Sequence, residues 1–343
     1  MRIQKKNEIV RGYRNRQKKY IMITSLLFLC VLLLACLMMV YGNTIYSFDT
    51  VIKVLVGEEI KGATFAIKTL RLPRMLAAIL CGIAFGMAGN TFQTLLGNPL
   101  ASPDIIGISS GASVAAVFGI LILGLGGTAV SLLAVISGLF VAGFIYLISQ
   151  GNGFSNGRLI LTGIGIQAFL NAILSWLLLK ASEYDVASAL QWLSGSLNGV
   201  RLESIGRLAA VVVICGIAIL SLNYHLQILQ LGEVYAQVLG MKVHIIRVFL
   251  ILLSLLMIAF ATSVTGPLAS VAFLSGPIAA KLSGGGRSNL LTSGLVGAIL
   301  VLASDFVGQY CLPSRYPAGI ITGILGAPYL LFLLLRMNRK GEN

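Results

Sequence analysis

The sequence predicts an all-α, polytopic membrane protein with about ten transmembrane helices and both termini in the cytoplasm. Three observations lead there. The 343 residues are 57% hydrophobic and 10% charged, whereas soluble chains carry about 25% charged residues. Apolar runs of roughly the 20 residues needed to span a bilayer recur along the chain. Basic residues are more numerous on one side of the topology that these runs define. The mean hydropathy is +0.93, and no aqueous fold could hide so much apolar surface, so lipid is the expected solvent. The chain has 39 glycines, a content that membrane bundles use for close helix contact.

At the N-terminus, eight of the 25 Lys and Arg residues precede Tyr20. They abut an apolar run from Ile21 to Val40. That run exceeds the roughly 7–15 residues of a signal-peptide core, and no small-residue cleavage site follows it. A retained first span is therefore expected at 21–41, with a positive cytoplasmic N-terminus. Further spans are expected at 74–94, 104–124, 128–149, 159–180, 203–222, 246–264, 267–283, 289–310 and 318–336. Residues 21–337 read as a single transmembrane domain between a basic N-terminus at 1–20 and a cytoplasmic tail at 338–343. Two stretches do not span. Residues 42–73 are external, and Phe48, Val51, Ile52 and Leu55 recur there at helical spacing, which fits a short helix on the membrane surface. Residues 223–245 form the longest internal loop.

Summing Lys and Arg over this topology gives 16 inside and 9 outside, which supports the orientation. Five of the nine crowd into residues 53–74. The net charge of +14 is thus a feature of membrane orientation and lipid contact, and no nucleic-acid partner is expected.

Catalytic machinery is missing from the pattern. No G-x-x-x-x-G-K-[ST] phosphate loop occurs; Gly284-Gly285-Gly286-Arg287-Ser288 lacks the lysine and the spacing. ATP hydrolysis by this chain is not expected, and no residue is assigned as catalytic. Cys30, Cys36, Cys81, Cys215 and Cys311 have neither disulfide nor metal-ligand spacing. His225 and His244 both fall in the internal loop, far from any cysteine or acidic cluster, and read as solvated loop residues. No metal or cofactor is expected on this chain.

Asp305 is the only acid well inside a predicted span. Such a group is a functional candidate by default, but proton relays chain several of them, so a structural role is the stronger reading. The segment Gly97 to Asp104 breaks the second span, because Pro99 and Pro103 cannot share an uninterrupted helix. Ser102, Pro103 and Asp104 read as N-cap, N1 and N2 of the third span. This is either a plain cytoplasmic turn or a turn lining the inner mouth of a pathway. Gly82/Gly86, Gly107/Gly111 and Gly319/Gly323 predict tight helix contacts. Arg71-Leu72-Pro73-Arg74, at the outer start of the second span, runs against the positive-inside bias. It fits either headgroup snorkelling or an acidic partner docking from outside.

Several segments together resemble the permease subunits of type II ABC importers, the iron–siderophore, haem and cobalamin permease family, from about residue 20 to the C-terminus. Arg71-Leu72-Pro73-Arg74 followed by Ala88-Gly89-Asn90-Thr91-Phe92-Gln93 looks like the family's second span. Asn98-Pro99-Leu100-Ala101-Ser102-Pro103-Asp104-Ile105-Ile106-Gly107-Ile108-Ser109-Ser110-Gly111-Ala112 resembles its most specific motif. Gly232-Glu233-Val234-Tyr235-Ala236-Gln237-Val238-Leu239-Gly240 is similar to its coupling segment. Pro317-Ala318-Gly319 and Gly326-Ala327-Pro328 match its last span.

The resemblance implies a multi-pass permease of the cell's inner (cytoplasmic) membrane that imports iron–siderophore chelates, with cobalamin or haem as alternative cargo. It implies a second permease copy or a homologous permease, two cytoplasmic ATP-binding subunits that carry the ATP, and an extracytoplasmic substrate-binding protein. Arg71 and Arg74 match positions that dock that protein, and Arg315 would substitute for a further docking arginine whose place Gln309 takes. Asn98 and Leu100, with Ser155 and Asn156, match the inner gate. Gly232, Glu233, Ala236, Leu239 and Gly240 would contact the ATPase. The family's Pro-His and Arg after the Gly-Pro of the eighth span are replaced here around Gly276-Pro277-Ile278 and Lys281. From another class, an ion-coupled secondary transporter would need coupling acids near the midplane, where Asp305 stands nearly alone.

Overall fold

A computed structural model describes residues 2–150, 155–284 and 288–341. Arg287 and the end of the tail expected at 338–343 lie outside them. The described chain is helical throughout. In order it runs α1 (Arg2–Val40), α2 (Phe48–Val56), α3 (Leu72–Leu95), α4 (Ile108–Leu121), α5 (Thr128–Gln150), α6 (Asn156–Lys180), α7 (Glu183–Leu193), α8 (Leu202–Ser221), α9 (Asn223–Leu229), α10 (Glu233–Val238), α11 (Val243–Thr265), α12 (Val271–Ser283), α13 (Leu290–Tyr310) and α14 (Ala318–Gly341). Seven of these are long and apolar enough to cross a membrane, and α4, α12 and α14 contribute shorter apolar helices. Together they occupy the ten expected spans.

Burial sorts the helices into centre and rim. In the most apolar stretch of α3, 72% of residues are buried inside the protein, against 17% in α6 and 22% in α1. α3 earns the centre by being small: Ala77, Ala78, Ala84 and Ala88 are fully buried. Its glycines bring backbones into contact, as the Gly82/Gly86 spacing predicts. A side chain added at Gly82 would fall on the backbone of Ala298, one at Gly86 on the Ser293 carbonyl, and one at Gly297 on the Gly82 carbonyl. The rim helices instead expose Leu161, Phe169, Leu179, Leu29 and Leu33, side chains that suit hydrocarbon.

Three local features depart from the sequence expectation. The helix entering the second span begins upstream of Arg74: a π-helical turn over Phe65–Arg71 leads directly into α3. Pro73 has no N–H to donate backward, and the wider turn ahead of it absorbs that loss. Ser102 does accept from the Asp104 N–H as a cap, but the element it caps is a 3₁₀ turn, Pro103–Ile106. Gly107, at φ 70°, then redirects the chain into α4, so the third span is short. Finally, α7 is a helix where only an external connection was expected. The surface helix expected around Phe48–Leu55 is present as α2, with Ser47 accepting from Thr50 N–H. His225 lies on α9 and His244 in the first turn of α11, so both sit on helices and not on open loop.

Candidate functional site

Two polar regions lie at opposite ends of α3. Arg74 lies in the first turn of that helix and Gly97 just past its end, and at 1.5 Å per residue they are about 35 Å apart.

The first region is a pocket of about 380 Å³ lined by Arg71, Arg74, Arg315, Asn198, Gln309 and Tyr46, among others. It brings the three predicted docking arginines together, and each has intrachain partners. Arg71 Nη1 donates to the carbonyls of Met39 at 2.7 Å and Val40 at 2.9 Å, and its Nη2 donates to Thr44 O at 2.6 Å. The Met39 and Val40 carbonyls belong to the last turn of α1, where helix acceptors lack an intrahelical partner, so Arg71 caps that helix. Its guanidinium also lies 4.9 Å from the Tyr46 ring centroid. Arg74 donates from Nε and Nη2 to both oxygens of Asp305, each at 2.6 Å, and from Nη1 to Asn198 Oδ1 at 2.7 Å. The bidentate fork is the strong geometry for such a pair. It also gives Asp305 a partner, 231 positions away in sequence. Arg315 is the least committed, donating once, to Asn43 Oδ1 at 2.8 Å. The buried amide nitrogen of Gln309 has no partner among the described residues.

The second region is a cavity of about 750 Å³ where the ends of α3, α6 and α9 to α13 converge. Its lining includes Asn98, Ser155 and Asn156 of the predicted gate together with Gly232 and Glu233 of the predicted coupling segment. Leu100 lies beside it and not on its wall, and its N–H is held by Asn98 Oδ1 at 2.9 Å. Asn156 Nδ2 donates to Leu96 O at 3.3 Å, tying the start of α6 to the end of α3. The turn itself is knotted by Asp104, which accepts from Ser102 and Ser109 hydroxyls and whose carbonyl accepts from Gln167. Asn90 donates to the Ser288 carbonyl, closing the α3 side onto the entry to α13.

Gly232, at φ 108°, and Gly240, at φ 80°, bracket α10. Ala236 is its one buried side chain, while Leu239, at its C-cap, is exposed. Arg247 was not anticipated. It is buried in the first turns of α11 and donates from Nη2 to Glu233 Oε2 at 2.7 Å. The signal available in sequence was a basic residue just inside an apolar run, 14 positions after an acid. That pattern says nothing of the fold-back that joins them.

The bundle of apolar helices, with a polar region at each end, fits the class of a multi-pass membrane permease. The chain belongs to the FecCD transport family, which residues 28–336 match. It is 35% identical over 300 residues to the ferric enterobactin transport system permease protein FepG of Escherichia coli strain K12, covering 87% of this chain and 91% of that one. It is 33% identical over 328 residues to the Fe(3+)-citrate import system permease protein YfmE of Bacillus subtilis strain 168, covering 95% and 98%. Among solved structures, it superposes on one described as an inward-facing metal-chelate type ABC transporter. The TM-score there is 0.82 at 26% identity, over 92% of this chain and 99% of that one.

Proposed function

We propose that this chain is the membrane-spanning subunit of an ATP-driven importer of iron–siderophore chelates. A separate pair of ATPase subunits energises it, an extracytoplasmic binding protein feeds it, and a second permease copy or a homologue completes the path. The observation that carries this reading is the gathering of Asn98, Ser155, Asn156, Gly232 and Glu233 around one cavity, with Arg71, Arg74 and Arg315 around a pocket at the far end of α3. A gate beside a coupling segment, remote from a cationic dock, is the layout that alternating access needs. Relatives named for enterobactin and ferric citrate favour siderophore-type iron chelates over cobalamin or haem. An ion-coupled carrier is disfavoured because Asp305 is committed to Arg74.

In this scheme ATP binding closes the ATPase dimer, and the 232–240 segment carries that motion to the gate. The inside-positive charge bias supports a cytoplasmic position for this end. The chain itself binds no nucleotide and performs no hydrolysis. The test is purification from native membranes in mild detergent. The expected result is a co-purifying ATPase whose turnover rises with a chelate-loaded binding protein. A chain that purifies alone, under conditions that hold a known importer together, overturns the proposal in favour of a secondary transporter. Docking is tested with Arg315→Glu, because Arg71 and Arg74 also hold the fold. That variant should weaken binding-protein affinity about tenfold or more, as loss and reversal of one charge-assisted contact would; unchanged affinity would remove Arg315 from the dock.

A further inference from the structure

α10 has six residues, too few to persist as a helix unaided. Ala236 is the only residue of the helix that is buried. Val234, Tyr235, Val238 and Leu239, in the helix and at its C-cap, are 71%, 67%, 81% and 64% exposed. The glycines on either side adopt positive φ, so backbone continuity does not fix the helix's direction as a longer helix would. Among the described residues, an ion pair joins α10 to the bundle: Glu233 Oε2 to Arg247 Nη2 at 2.7 Å, with side-chain exposures of 50% and 8%. Both residues line the cavity that Asn98, Ser155 and Asn156 also line.

We infer that Arg247 is the positioning residue through which the coupling segment moves the gate. It is the only Asp, Glu, Lys or Arg of α11, whose most apolar stretch is more than half buried, and a guanidinium so placed is retained only where it is paired. Pairing it with Glu233, and not with a group on the bundle alone, makes the first residue of α10 a fixed point on the cavity wall. The apolar face of α10 then holds the ATPase, while the ion pair carries the displacement inward. The inference rests on the reading of 232–240 as the ATPase contact, and the experiment separates the two.

The test uses the assembled complex in proteoliposomes with its binding protein and ferric chelate. Four variants of this chain are compared: Val238→Asp, Glu233→Gln, Arg247→Met and the double exchange Glu233→Arg with Arg247→Glu. ATPase co-purification, ATP turnover and chelate uptake are each read. Val238→Asp probes only the underlying reading; if the ATPase still co-purifies with it unchanged, that reading fails. Arg247→Met should keep the ATPase bound and hydrolysing, and in both Arg247→Met and Glu233→Gln uptake per ATP should fall about tenfold, the scale of one charge-assisted bond. The double exchange should recover most of that loss. Uptake per ATP unchanged in Glu233→Gln overturns the inference even where Val238→Asp behaves as expected. An exchange variant no better than the single variants also overturns it. Glu233 is half exposed, so its glutamine variant folds and decides the matter should Arg247→Met fail to accumulate.

Discussion

Asp305 retains 1% of its side-chain surface, and Arg74 retains 18%. Neither charge is tolerable there alone, because removing one partner of a buried pair leaves the other desolvated at a cost of about 3–5 kcal/mol. Asp305→Ala should therefore lower thermal stability in detergent by about that amount. Asp305→Asn, which keeps a hydrogen-bond acceptor for Arg74, should lose less. If Asp305→Asn instead abolished uptake at full stability, a proton-relay role would return. Sequence placed an acid in the span at 289–310 and an Arg-rich motif at the outer start of the second span, but not their meeting, because pairing across 231 positions depends on how α3 and α13 pack. For the same reason Arg71 was legible as an anomalous outer charge and not as the cap on α1. Asn98 and Asn156, which line one cavity, were singled out by motif; Arg247 was hidden by the fold-back at Gly232 and Gly240.

At the scale of elements, the spans followed from apolar length, and most of the expected boundaries fall within a few residues of the observed ones. What escaped was irregular. The π-helical turn before Pro73 and the 3₁₀ turn after Ser102 are local answers to prolines whose consequence depends on neighbours. α7 escaped because its mixed polar sequence is too short and too wet to read as a span. The α3–α13 seam was legible only as a glycine spacing, yet it admits a sharp expectation. Gly297→Val forces two backbones apart and should cost at least the roughly 1–3 kcal/mol of overpacking, read as lost thermal stability or lost accumulation. Gly143→Ala, where nothing lies within 4 Å of the added carbon, should be neutral by the same assay. Equal behaviour of the two variants would mean that the helices are not in backbone contact.

Over the whole molecule, orientation is the quantity that the charge bias supplies, and labelling checks it. Cys311 is exposed in the turn after α13, at the arginine end of the bundle. In a chain whose other four cysteines are alanine, Cys311 should react with a membrane-impermeant thiol reagent in intact spheroplasts. With Cys311 also replaced, Leu239→Cys should react only after the membrane is opened. The opposite pattern inverts the topology and with it the direction assigned to the gate.

α1 is 39 residues long, or roughly 58 Å at 1.5 Å per residue, against a hydrocarbon layer of about 30 Å. α3 and α13 differ in kind, because they are fastened at three heights. The Arg74–Asp305 fork closes one end, bare backbone contact at Gly82, Gly86 and Gly297 closes the middle, and Asn90 on the Ser288 carbonyl closes the other end. Two rods pinned three times can neither slide nor splay. A device that must present its mouth first to one compartment and then to the other needs an unmoving fulcrum. In the import cycle proposed above, the α3–α13 pair is the candidate for that fulcrum.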